Sequence, residues 1–134
     1  MGQIFIVGLG PGSPDDLTLK AVNLMKNAER LYLRTKYLPT VNYLDEIGLS
    51  YKTFDEIYDA YPTFEEVYRK ISDTIIGMAE NNDVTYAVPG NPLVAEKSVQ
   101  LILDKAHEIG IPVEVVPSVS FIDAVINALS IDPI

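Results

Sequence analysis

Three short stretches of this chain bring together residue types that let bare backbone approach a ligand. They are Gly8-Leu9-Gly10-Pro11-Gly12-Ser13-Pro14, Pro89-Gly90-Asn91-Pro92 and Pro117-Ser118-Val119-Ser120. Glycine removes the Cβ that would hold a ligand off the main chain, and proline stiffens the turn around it. Such turns suit a small polar molecule, held by backbone donors and acceptors, a hydroxyl such as Ser120 and apolar walls. The first turn does not complete a dinucleotide fingerprint, because Ser13 stands where the third glycine of Gly-x-Gly-x-x-Gly belongs. Pro11 and Pro14 also remove N–H groups that a pyrophosphate would need. No Gly-Lys-Ser/Thr follows, which excludes a nucleoside triphosphate loop. Taken alone, this turn reads equally well as a tight strand-to-helix connection with no ligand.

The remaining reactive side chains offer less. There is no cysteine, so thiol catalysis, thiolate metal sites and disulfides are excluded together. His107 is the single histidine and falls near the end of a helical pattern, where it faces solvent or complements the helix dipole. Asp15 and Asp16 are placed to cap the first helix. Asp55, Glu56, Asp59, Glu65 and Glu66 form the densest acidic region, read as a solvated face. Tyr58, Tyr61 and Tyr68 either line a substrate mouth or cover the core.

The elements that must carry the three turns follow from periodicity. Ile4 to Val7 is a short β-branched run ending at glycine, the pattern of a buried parallel strand. Thr18 to Ala28 has helical spacing, Arg30 to Arg34 alternates, Val41 to Ile47 suits a short helix, and Tyr51 to Phe54 a strand followed by an irregular link. Phe64 to Glu80 and Ala95 to Glu108 are helices, the second closed by Gly110. Asp83 to Val88 and Ile111 to Val116 are strands, and a last helix runs from Phe121 to about Leu129. Alternating strands and helices predict an α/β domain with a mostly parallel open sheet flanked by helices. In such a sheet all three turns open on the carboxyl edge.

Composition fits one globular domain, with 48% hydrophobic and 22% charged residues. The net charge of −9 and the lack of a basic cluster argue against nucleic acid and against anionic membrane as partners. No window reaches the ~20 apolar residues needed to span a bilayer, and a cytoplasmic location is expected. Leu129-Ser130-Ile131-Asp132-Pro133-Ile134 follows a helix with no polar tail, as if cut from a longer protein. Such a cut would leave apolar surface bare and favour self-association, most simply as a homodimer.

Together the turns resemble a known family. Val7 to Pro14 with Leu17-Thr18-Leu19-x-Ala21 resembles the opening signature of the tetrapyrrole methylases, and Ala28-Glu29-Arg30-Leu31-Tyr32 their second strand. Val88-Pro89-Gly90-Asn91-Pro92 stands where that family has Gly-Asp-Pro, and Val113 to Ser120 resembles its Pro-Gly-x-Ser/Thr turn. The family includes corrin and sirohaem methylases, diphthine synthase and a ribosomal-RNA ribose methylase. Within it, Ala87-Val88-Pro89-Gly90-x-Pro92-Leu93-Val94-Ala95-Glu96 and the Tyr-rich middle are most similar to the methylase-like domain fused to a MazG-type nucleotide pyrophosphohydrolase.

The resemblance implies a two-lobed fold with S-adenosylmethionine in the cleft, of which residues 1–134 are the N-terminal lobe. It implies that Leu9, Pro11, Gly90, Asn91, Val94, Ser120 and Phe121 face that cofactor, with a methyl acceptor it does not identify. Two departures stand out: Asn91 for the family's aspartate, and Ser118 for the glycine after Pro117. A non-catalytic lobe that senses S-adenosylmethionine or a nucleotide, or that promotes oligomerisation of an attached hydrolase, is the alternative.

Overall fold

Strand β1 (Ile4–Gly8) sits near the middle of the sheet because its residues satisfy two cores at once. Ile4 and Ile6 point to one face, Val7 and Leu9 to the other, as strand alternation requires. The computed structural model describes all of residues 1–134. Around β1 are β2 (Leu31–Leu33), β3 (Lys52–Thr53), β4 (Val84–Val88) and β5 (Val113–Val116), in the order β3-β2-β4-β1-β5. Every pairing is parallel, with Ile4 opposite Val84 on one side and Val113 on the other.

Helices cover both faces. On one, α1 (Leu19–Lys26) and α2 (Thr40–Glu46) bury Ala21, Met25, Val41 and Leu44 against Val7, Leu33 and Ala87. On the other, α4 (Phe64–Ala79) and α5 (Lys97–Ile109) bury Ile71, Ile75, Val99 and Ile102 against Ile4, Val84 and Tyr86. Between β3 and α4 lies α3 (Asp55–Ala60), and α6 (Phe121–Leu129) ends the chain's regular structure. The open parallel α/β sheet flanked by helices is thus present. No helix is long and apolar enough to cross a membrane.

Three local expectations need correction. The link after β3 is not irregular: Asp55 and Glu56 favour the positive end of a short helix. Ile57 and Tyr58 of that helix pack on the core. Asp15 and Asp16 do not cap α1; they belong to a single 3-10 turn, Pro14–Asp16. The cap is Thr18, whose hydroxyl accepts from the Ala21 N–H at 3.1 Å. Helix α5 begins at Lys97 rather than Ala95, because Ala95 adopts a left-handed conformation (φ 55°) and Glu96 an extended one. Gly110 closes α5 in the left-handed conformation, and His107 lies exposed in its last turn.

Helix α6 buries none of its residues. Phe121, Ile122, Val125 and Leu129 are all exposed, a continuous apolar surface of the kind that marks contact sites.

One buried polar contact ties the sheet to α5. The Tyr86 hydroxyl lies 2.7 Å from Ser98 Oγ, and both residues are fully buried. Replacing one partner strands the other, so Tyr86→Phe should cost about 1–3 kcal/mol in urea denaturation. Adding Ser98→Ala to Tyr86→Phe should recover part of that loss, because no polar group is then left unpaired.

Candidate functional site

Adjacent strands β1 and β4 send their following helices to opposite faces, α1 to one and α5 to the other. A crevice opens at the carboxyl ends of such strands, where ligands gather in open α/β sheets. The three glycine- and proline-rich turns meet there and are bonded to one another.

Gly10 and Gly90 form a two-way backbone bridge, Gly90 N–H to Gly10 O at 2.8 Å and Gly10 N–H to Gly90 O at 3.3 Å. Both glycines have positive φ, 75° and 68°. Asn91 Nδ2 donates to Ser118 O at 2.9 Å, and Asn91 Oδ1 accepts from Leu93 N–H at 3.0 Å. Ser118 Oγ reaches Asp16 O at 3.5 Å and so links the third turn to the first. Each turn therefore holds the other two.

The sequence-predicted residues divide in two. Pro11, Gly90, Asn91, Val94 and Phe121 line one open crevice of about 310 Å³, together with Arg34, Pro89, Ala95 and Glu96. Leu9 does not line it, because its side chain is fully buried in the α1/α2 core and only its backbone reaches the turn. Ser120 does not line it either. Its hydroxyl caps α6 and exchanges hydrogen bonds with Asp123, whose carboxylate also accepts from the Ser120 N–H at 2.9 Å. Asn91 occupies the edge of the crevice, but both ends of its amide are engaged within the protein. The departure from aspartate thus has a local reason: a carboxylate cannot donate to Ser118 O.

A larger cavity of about 510 Å³ lies at the opposite edge, lined by Glu29 to Tyr32 and Ser50 to Lys52 at the amino ends of β2 and β3. It holds none of the three turns. A third cavity, of about 390 Å³, adjoins the crevice through Arg34, which lines both; Thr35, Tyr37, Asp55, Tyr58, Asp59 and Tyr68 complete it. Tyr58 and Tyr68 are thus at a cavity mouth, whereas Tyr61 lies apart.

Arg34 and Glu96 were not among the residues singled out from the sequence. Arg34 Nη1 lies 3.4 Å from Glu96 Oε1, and the Glu96 side chain is only 6% exposed. Glu96 is the extended residue just before α5, so helical spacing carried no signal of its burial. Burial pushes the Glu96 carboxyl above its ordinary range, and the Arg34 guanidinium pulls it part of the way back. Burial likewise raises the Tyr58 hydroxyl, against a lowering influence of Arg34.

Two expected outcomes test this geometry. A Cβ at Gly8 would come within 2.5 Å of both Gly90 O and Ser118 Cβ. Gly8→Ala should therefore force the turns apart and cost about 1–3 kcal/mol, read as a lowered Tm. Glu96 has a raised folded pKa, so the stability it contributes is fully present below 4.5 and is lost as pH rises through the folded value. Measured against Glu96→Gln, the wild type should lose Tm steadily as the pH climbs above 4.5.

Comparison with known proteins identifies the family. The sequence matches the family Tetrapyrrole (Corrin/Porphyrin) Methylases over residues 3–133. Uncharacterized protein YabN of Bacillus subtilis (strain 168) is 43% identical over 133 residues, 99% of this chain and 27% of that protein. Diphthine methyl ester synthase of Neurospora crassa is 31% identical over 124 residues, covering 92% of this chain and 41% of that one. Among solved structures, uroporphyrin-III-C-methyltransferase from Thermus thermophilus superposes with a TM-score of 0.71 at 26% identity, covering 98% of this chain and 54% of that one. A second structure of that Thermus enzyme, complexed with S-adenyl homocysteine, gives 0.64 at 28% identity, over 92% of this chain and 51% of the other. The chain therefore spans about half the length of these solved relatives and less of the others. With the matched span and the fold in agreement, this chain belongs to the tetrapyrrole methylase family.

Proposed function

We propose that the crevice between the first two turns is one wall of an S-adenosylmethionine site, and that the chain is the cofactor-binding lobe of a methyltransferase. The observation that carries this reading is the convergence of the first two turns on open space, with Phe121 beside them. A Cβ built on Gly90 meets nothing within 4 Å, so that backbone faces the crevice directly. Pro11, Val94 and Phe121 offer apolar walls to an adenine or ribose, and Gly90 offers main chain. Leu9 contributes through its backbone and Ser120 by holding the start of α6, which positions Phe121. When bound, S-adenosylmethionine supplies a methyl carbon already activated by its sulfonium, which leaves the protein the task of alignment.

A second lobe supplies the opposite wall in this reading, and the exposed apolar face of α6 is a surface for it or for a second copy in a homodimer. The YabN relative extends well beyond the matched part. Its length leaves room for an attached domain such as the MazG-type pyrophosphohydrolase that the Ala87 to Glu96 segment and the Tyr-rich middle suggest, in a cytoplasmic protein. The second reading is a non-catalytic sensor of S-adenosylmethionine within such a protein. Full engagement of the Asn91 amide inside the fold favours it, because no carboxylate is left for the cofactor. Transfer of labelled methyl to a cell extract separates the two.

The site itself is tested by Gly90→Leu. The new side chain projects into the crevice, and the positive φ of 68° adds strain of about 1–2 kcal/mol. Gly110→Leu is the control, since Gly110 has a φ of 80° and open space but lies at the far end of α5. S-adenosylhomocysteine should shift amide NMR signals of Gly10, Gly12, Gly90, Asn91 and Val94 in the wild type and in Gly110→Leu. Gly90→Leu should weaken that binding by about tenfold or more, equivalent to about 1.4 kcal/mol. Equal binding by both variants would place the cofactor elsewhere.

A further inference from the structure

The Arg34–Glu96 pair is incomplete. Only Glu96 Oε1 meets Arg34 Nη1; Glu96 Oε2 and Arg34 Nε are both buried and have no hydrogen-bond partner. A buried carboxyl oxygen with no partner, beside a guanidinium N–H with none, is an unfavourable arrangement that a ligand can complete. The two open atoms are of opposite kind. A matching ligand presents one N–H and one carbonyl oxygen at neighbouring positions.

The surroundings narrow the ligand further. Glu96 lines the crevice of the three turns, and Arg34 lines both that crevice and the cavity of about 390 Å³ beside it. The rings of Tyr58 and Tyr68 lie edge to face there, 6.2 Å apart, and provide flat apolar surface. Asp55 and Asp59 add negative charge, and Glu96 offsets the one cation of the lining, Arg34. Asp55 is committed to Thr35 Oγ1 and Lys36 N–H, whereas Asp59 has no salt-bridge partner within 4.0 Å. Such a lining repels carboxylates and phosphates and accepts an uncharged ring.

We propose that this junction is the subsite for the methyl acceptor, and that it takes a planar, uncharged heterocycle with a lactam edge. The ring N–H reaches Glu96 Oε2, the adjacent carbonyl accepts from Arg34 Nε, and the ring lies against Tyr58 and Tyr68. Both open atoms are closed off from solvent, so the Arg34 and Glu96 side chains must both turn toward the cavity as the ligand arrives. The assignment as an acceptor subsite rests on the S-adenosylmethionine reading above; the pairing of ligand edge to ion pair does not. It sets this chain apart from a site built for carboxylated macrocycles.

The test uses 2-pyridone, the simplest planar lactam, titrated into the full chain with ring signals of Tyr58 and Tyr68 followed by NMR. Saturable shifts at both rings are expected. N-methyl-2-pyridone keeps the ring and carbonyl but lacks the N–H, and should bind about tenfold more weakly or worse, the loss of one hydrogen bond. Benzoate should leave both rings unmoved. Comparing ligands needs no variant; Asp59→Asn, a change at an exposed residue, should let benzoate begin to bind. Equal affinity for the two pyridones, or 2-pyridone shifts that avoid both tyrosines, overturns the proposal. S-adenosylhomocysteine titrated into the same sample keeps the two readings apart. If it binds while 2-pyridone does not, the subsite fails and the cofactor site stands. If 2-pyridone binds while it does not, the acceptor role fails with the cofactor reading.

Discussion

The arrangement of this edge depends on the contact between Gly8, Gly90 and Ser118. At Gly8 there is no room for a single methyl group, since one placed there would overlap both neighbouring turns. The close approach lets Gly10 and Gly90 bridge across the strand ends, and it brings Asn91 within bonding distance of Ser118 O. Main chain that would otherwise be three independent loops becomes one surface. The rigidity is structural before it is functional: beyond the parallel ladder of β1 and β4, Gly10 and Gly90 add a separate antiparallel bridge. A site made of bare backbone needs such support, because it has few side chains of its own to fix its geometry.

Against that rigid edge, Arg34 and Glu96 form the polar element of the crevice. Charges are rarely buried so deeply unless paired, and pairing here is only partial. The carboxyl is raised by desolvation while its partner lowers it, so the two effects oppose each other on one group. Hydrophobic pairs of similar volume often stabilise a fold as well as buried ion pairs do. The polar pair is better explained by what it faces than by what it holds together.

Much of this was legible from residue order. The strands and long helices follow from apolar spacing, and three glycine- and proline-rich turns at strand ends place the crevice on one edge. Sequence could not show that Leu9 turns its side chain inward or that Ser120 spends its hydroxyl on a helix cap, since both depend on where neighbouring elements lie. Asn91 was legible as a departure but not as a crosslink, because its partner Ser118 is 27 residues away. Helix α3 was missed because six residues after a strand carry little periodic signal, and its apolar side is set by the core it meets. The stripe of α5 does not announce Glu96, because that residue precedes the helix in an extended conformation.

The position of β1 also fixes the order in which the molecule can be built. The first strand made is flanked in the sheet by β4 and β5, the last two, and Ile4 pairs with Val84 and Val113. During synthesis those few apolar residues have no lasting partner until most of the chain has emerged. Contacts of such long sequence separation slow folding and lengthen the time that strand edges stay exposed. The ligand edge inherits the delay, since Gly8 and Gly10 are the direct continuation of that strand and meet Gly90 only once β4 is beside it. A nascent chain interrupted before β4 therefore carries the first turn without any of the surface that the turn helps to make.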